Sequence, residues 1–170
     1  TRKLKHEEWS EGDWRSYRYA YYRLLEDVDR QVGGVLEALR QSGQEDNTLV
    51  VFTSDHGEGQ GAHHRTGKMM FYEEELAVPL IVSWKGVTPA GRIDRTHLVS
   101  TVDVLPTLCD YAGVKPPVRV CGQSLRPVLE KPESAGQGFV VSELVVGETP
   151  DASRSFMVRT KKHKYMVFPG

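Results

Sequence analysis

Cysteine is scarce in this chain. Cys109 and Cys121 are too few for a disulfide framework, and the pair reads as two separately buried thiols. No apolar run approaches the roughly 20 residues that span a bilayer as a helix, so no membrane segment is expected. Neither sign of charge is in excess. A formal net charge of −1 gives no basic field for nucleic acid and no acidic tail. Internal repeats and low-complexity tracts are missing too, which excludes solenoids and linkers. The start, TRKLKHEEWSEG, has no signal-peptide apolar region and no initiator methionine, so the chain is expected to be a piece of a longer protein. What is present is ordinary globular composition, in a length that suits one domain with a sizeable core.

Residues 13 to 42 carry one apolar stripe at three- and four-residue spacing, from Tyr17 through Tyr21, Leu25, Val28, Val32 and Leu36 to Leu39. That spacing predicts a long helix with Asp13 as its N-cap, Gly43 just past its end, and the tyrosine-rich stripe in the core. The pair Gly33-Gly34 weakens such a helix, and close packing against another backbone would explain it. TLVVFT and VPLIVSW are short apolar runs without alternation, the pattern of strands buried on both faces as in a parallel sheet covered by helices. MMFYEEELA suggests a short helix. STVDVLPTLCDYAG reads as another, capped by Ser100 or Thr101, with Asp103 in its first turn and Gly113 at its end. The tail changes character. GFVVSELVV and SFMVRTKKHKYMVF read as strands, the second a hairpin turning at Lys161 to Lys164. The expected fold class is α/β, with a boundary near VLEKPESAGQG and a small antiparallel sheet after it.

The chemistry concentrates in TLVVFTSDHGEGQGAHHRTGK, residues 48 to 68. Catalytic and ligand groups in open α/β sheets gather where strands end. Asp55 and His56 follow an apolar run at that position and offer one hard oxygen and one nitrogen, a pair that divalent cations accept. Gly57, Gly59 and Gly61 let the backbone turn sharply or approach a ligand. Lys68 adds a point charge suited to a tetrahedral oxyanion. The plainer readings stay open at this level. Asp55 could cap a turn, His56 could be a hydrogen-bonded loop residue, His63 and His64 could be solvated, and Lys68 could be a surface lysine.

Several motifs in order go further than spacing. FTSDHGE, TGK and FYEEELAVPLIV resemble the carboxy-terminal half of the sulfatase family, within the alkaline-phosphatase superfamily. The flanking YAYYRLLEDVDRQVGGVLEAL, VSTVDVLPTLCDYAGV, GQSLRPVL and SFMVRTKKHKYMVF extend the likeness over nearly the whole chain. The resemblance implies a partial alkaline-phosphatase-like α/β/α sandwich over residues 1–132 and the start of a small antiparallel subdomain over 133–170. It implies that Asp55 and His56 are ligands of a divalent metal, most often Ca²⁺, with Mn²⁺, Mg²⁺ and Zn²⁺ as other candidates. It makes Lys68 a catalytic and sulfate-binding residue. His64, alongside His63, is a candidate to reach the leaving group of a sulfate-ester substrate, and Glu58 is a weaker one.

The family's nucleophile, a formylglycine made from a Cys or Ser in C/S-x-P/A-x-R, has no counterpart here, because DYAG follows Cys109 and GQSL follows Cys121. The tandem aspartates that complete the metal site are missing as well. The isolated chain is therefore expected to be inactive and to bind metal weakly. Its partner would be the amino-terminal half of the same protein, and without that half the strand edges could pair in a dimer. The intact protein is expected to be a sulfuric ester hydrolase. A phosphodiesterase or phosphonate monoester hydrolase of the same superfamily is the second reading, and a non-catalytic binding module the third. By the same resemblance an exported, periplasmic or lysosomal location is plausible.

Overall fold

Ser10 starts the longest element. Its hydroxyl accepts the Asp13 amide, while the Asp13 carboxylate accepts the Ser10 amide at 2.8 Å, a reciprocal capping box. Helix α1 therefore runs Glu11–Gln41, and Asp13, expected as the cap itself, is the third residue inside it. Gly43 lies beyond the end in the left-handed region at φ +70°. The computed structural model that carries these elements describes residues 8–146 and 153–168. It divides into two compact units, Thr1–Lys85 and Gly86–Gly170. The change of sequence character near residue 132 falls inside the second.

In the first unit, β1 (Val50–Thr53) and β2 (Leu80–Ser83) flank the glycine-rich loop and the short α2 (Glu73–Leu76). The two strands pair antiparallel, Val50 opposite Ser83 and Thr53 opposite Leu80. This corrects the parallel, doubly covered arrangement expected from their apolar runs. β1 is only half-buried, and Ile81 of β2 is exposed. An unbroken apolar run shows that both faces can be covered, but it does not encode strand direction.

The apolar stripe of α1 is a second correction. Trp14 is buried near the start, yet Leu24, Leu25, Val28, Val35 and Leu36 are exposed, and nothing lies within 4 Å of a Cβ built on Gly33 or Gly34. The three-and-four spacing marks a face that can be buried, not what buries it. Among the described residues no helix is long and apolar enough to cross a membrane.

The second unit starts from the helix expected around Thr107. Ser100 and Asp103 form another capping box, and a single turn at Thr101–Asp103 leads into α3 (Val104–Ala112), which ends at left-handed Gly113. Cys109 is buried as expected. Cys121 is exposed, contrary to expectation, and both thiols are free. A short helix not evident from the sequence, α4 (Arg126–Glu130), has Pro127 in its first turn, where a missing N–H costs nothing. The small antiparallel sheet follows, in the order β3 (Phe139–Val146), β4 (Ser153–Thr160), β5 (Lys164–Val167). Central β4 alternates, with Ser155 and Met157 buried and Phe156 and Val158 exposed.

Asp94 ties the entry to this unit. Its carboxylate accepts from Arg92 Nη2 at 2.8 Å, His97 Nδ1 at 2.6 Å and the Thr96 amide at 2.8 Å, while His97 Nε2 reaches the Ser134 carbonyl at 3.0 Å. Burial alone would raise the Asp94 carboxyl, but the hydrogen bonds from His97 and Thr96 outweigh it and hold the group well below the usual aspartate range. A folded value below the unfolded one stabilises the fold above the ordinary aspartate value of about 3.9. That contribution is lost as pH falls further, toward the depressed value. The urea midpoint should therefore drop on acidification below about pH 4 and should drop less in Asp94→Asn. Equal acid sensitivity in the two proteins would remove Asp94 as the cause.

Candidate functional site

β1 delivers Asp55 and His56 two and three residues past its last paired position. Ser54 Oγ donates to the His56 carbonyl at 2.8 Å, and the His56 amide donates to Asp55 Oδ1 at 2.9 Å. These two local bonds hold a bend at residue 55. It leaves Asp55 open to solvent, with its second oxygen 3.6 Å from His56 Nε2. His56 Nδ1 lies 2.7 Å from the Gly57 carbonyl, a contact in which the nitrogen must donate. The neutral ring then presents a lone pair at Nε2, the arrangement commonly found in a histidine that ligates a metal. Asp55 is held somewhat below the ordinary aspartate range. Desolvation, the largest single influence, works against this, but the hydrogen bond from the His56 amide and the charge of Lys68, with other local contributions, together outweigh it.

The next residue allows no side chain. A Cβ on Gly57 would stand 2.0 Å from the Glu74 carbonyl oxygen. The loop docks against the start of α2 at that point, the Gly57 amide donating to Glu75 O at 2.8 Å and the Glu58 amide to Glu74 O at 2.9 Å. Glu75 is itself buried and accepts the Met70 amide at 2.7 Å. The acidic run YEEE thus braces the loop from below.

The glycine-rich segment then doubles back. The Gly59 amide donates to Gly67 O at 2.9 Å and the Gly61 amide to Arg65 O at 2.8 Å. Gln60, His63 and His64 adopt φ of 50°, 55° and 54°, a strained region for residues with a Cβ. This reversal brings Lys68 back to the strand end, where Nζ donates to His56 Nε2. Asp55, His56 and Lys68 are therefore together. His63 is drawn aside, stacked on Tyr72 with centroids 3.8 Å apart and 3.7 Å from Glu74. His64 is exposed at the turn. Among the described residues no group of three or more His, Cys, Asp or Glu side chains converges as a metal site would. The donors present, one carboxylate and one imidazole whose Nε2 here accepts from Lys68, suit two positions of a divalent cation and no more.

Sequence reasoning gave little weight to Glu58 and read Tyr17 only as core. Tyr17 Oη donates to Glu58 Oε1 at 2.6 Å across 41 residues of chain. No local pattern could have revealed that pairing.

The Sulfatase family profile matches residues 2–114, and that of N-sulphoglucosamine sulphohydrolase, C-terminal, matches residues 61–169. The chain is 34% identical over 160 residues to Delta 4,5-hexuronate-2-O-sulfatase of Bacteroides thetaiotaomicron, covering 92% of this chain and 33% of that protein. It is 32% identical over 166 residues to Arylsulfatase K of Bos taurus, covering 94% and 30%. Among solved structures, phosphonate monoester hydrolase of Agrobacterium radiobacter superposes with a TM-score of 0.85 at 31% identity, over 95% of this chain and 34% of that one. The chain thus spans about a third of the length of the relatives it matches.

Proposed function

This chain belongs to the sulfatase family, and we propose that it is the carboxy-terminal part of a sulfuric ester hydrolase, contributing half of the active site. The observation that carries this reading is the convergence of Asp55, His56 and Lys68 at one strand end, with His56 Nδ1 tied to a backbone carbonyl and the Nε2 lone pair turned to the Lys68 ammonium. Family membership implies a divalent metal and a formylglycine. Asp55 and His56 Nε2 would hold that metal, Ca²⁺ by resemblance to the family, together with donors from outside these residues. When bound, the ion supplies Lewis-acid neutralisation of charge on the ester oxygens.

Lys68 has a separate task. Its ammonium is a compact charge with three donors, suited to two oxygens of a sulfate ester and to the charge that grows on them as the S–O bond breaks. Gly57 lets the loop lie flat on α2, so that Asp55 and His56 face outward. His64, exposed on the rim, is assigned to the leaving-group side of the pocket. The nucleophile and the other metal ligands would come from the amino-terminal part of the protein.

The similarity to a phosphonate monoester hydrolase supports a second reading, since phosphonate and sulfate esters share size and tetrahedral shape. Kinetics of the full-length, metal-loaded protein separate the two. A higher kcat/KM for 4-nitrophenyl sulfate than for 4-nitrophenyl phenylphosphonate is expected. The reverse order would move the assignment to phosphonate chemistry. Turnover of neither would leave a binding module.

A further inference from the structure

We propose that Glu58 is a positioning residue whose carboxylate, held between Tyr17 of α1 and the Gly67 amide, fixes the loop that sets Lys68 beside Asp55 and His56. The proposal rests on the reading of Lys68 as the oxyanion-binding group. One oxygen of Glu58 does the joining. Oε1 accepts the Tyr17 hydroxyl at 2.6 Å and also the Gly67 amide. A carboxylate oxygen has two lone pairs, so both bonds can form at once, and charge assistance makes each stronger than a neutral bond.

The position of Gly67 gives the contact its consequence. Gly67 is one peptide bond before Lys68 and sits at φ +76°, a conformation that only glycine adopts at little cost. A lysine has four flexible methylenes, so where its ammonium can reach is set chiefly by where its Cα is held. Binding Gly67 to a fixed carboxylate limits that reach. The other end of the tie is rigid as well. Tyr17 lies in the second turn of a 31-residue helix whose start is closed by the Ser10–Asp13 capping box.

A second contact supports the same loop from the same helix. The ring of Trp14 lies so close to Gly61 that a Cβ there would meet it at 2.8 Å. The first two turns of α1 thus brace both ends of the reversal between Gly61 and Gly67. Burial of the Tyr17 phenol and the carboxylate beside it both push its ionisation up, which keeps the hydroxyl a donor at every working pH. Glu58 itself is turned to the helix and to Gly67, so its work is done through Lys68 and not on substrate.

Two measurements on the full-length protein test this: calorimetric binding of inorganic sulfate, and hydrogen exchange at the Gly67 amide. Glu58→Ala should speed Gly67 exchange and weaken sulfate about tenfold, the worth of one lost charge-assisted bond. Glu58→Gln, which keeps an acceptor oxygen, should recover most of the affinity, a recovery that a general loss of stability would not produce. Unchanged Gly67 exchange in Glu58→Ala overturns the proposal. So does faster exchange with sulfate affinity unaltered. If Glu58→Ala fails to fold, Tyr17→Phe removes one oxygen atom and is judged by the same two outcomes. Lys68→Ala run in parallel separates the premises. Weak sulfate binding in Lys68→Ala with normal binding in Glu58→Ala rejects the positioning role alone. Normal binding in Lys68→Ala rejects the oxyanion reading, and the positioning role falls with it.

Discussion

Asp103→Ala is expected to destabilise the unit from Gly86 onward by roughly 3–5 kcal/mol. Asp103 is fully buried, and its carboxylate is the meeting point of three separate segments. Oδ2 accepts the Ser100 amide and Gln137 Nε2, each at 2.8 Å, while Oδ1 accepts the Gln123 amide at 2.8 Å. The Asp103 carbonyl takes the Thr107 hydroxyl at 2.6 Å, and Thr107 in turn accepts the Leu125 amide at 2.8 Å. Burying a carboxylate is costly, so its net worth in the native protein is small compared with the cost of deleting it alone. Alanine strands three part-buried donors, each costing up to about 1–3 kcal/mol, and water and relaxation around the small cavity recover part of that. The chain cannot simply close in. Gly122 already passes so near that a Cβ on it would be 2.0 Å from the Val102 carbonyl. Chemical denaturation measures the effect, and a loss below about 1 kcal/mol would show that water replaces the carboxylate with little penalty.

Lys68→Ala in the full-length protein is expected to lower kcat/KM for a sulfate ester by about 10²- to 10³-fold, the usual consequence of removing one electrostatic donor from a developing oxyanion. The loss should fall more on kcat than on KM. An ammonium that gains strength as negative charge accumulates favours the transition state over the bound ester. Lys68→Arg should recover little, because a planar fork cannot occupy the place of a point charge against His56. Steady-state kinetics with 4-nitrophenyl sulfate decide the matter. A decrease of less than tenfold would take Lys68 out of the chemistry.

These variants touch residues whose roles were unevenly visible. SDHG at the end of an apolar run made Asp55 and His56 candidates, because strand ends are local features, while Lys68 stood out chiefly through the TGK motif that resembles the family's. Gly57 was visible as a turn residue, but not as the point where the loop presses on Glu74. Asp103 was legible only as a helix-start acid. Its three partners lie at residues 100, 123 and 137, so its weight in the fold depends on contacts that no short window contains. Glu75 hid for the same reason. It resembles a solvated helix acid until the Met70 amide and the surrounding burial are seen.

The sequence by itself determined most of the elements and their order, the short α4 excepted. It marked α1 with its glycine past the end, the capped helix around Thr107 and the late hairpin, and it offered three candidate side chains near one strand end. Each of these follows from interactions within a few residues, where caps, period and turn chemistry act. Only the tertiary structure decided that β1 and β2 run antiparallel, that much of the apolar stripe of α1 is exposed, that Cys121 is exposed, and that Glu58 joins Tyr17 to Gly67. Strand direction, burial and long-range hydrogen bonds depend on which distant surfaces meet, and meeting is a property of the folded chain as a whole.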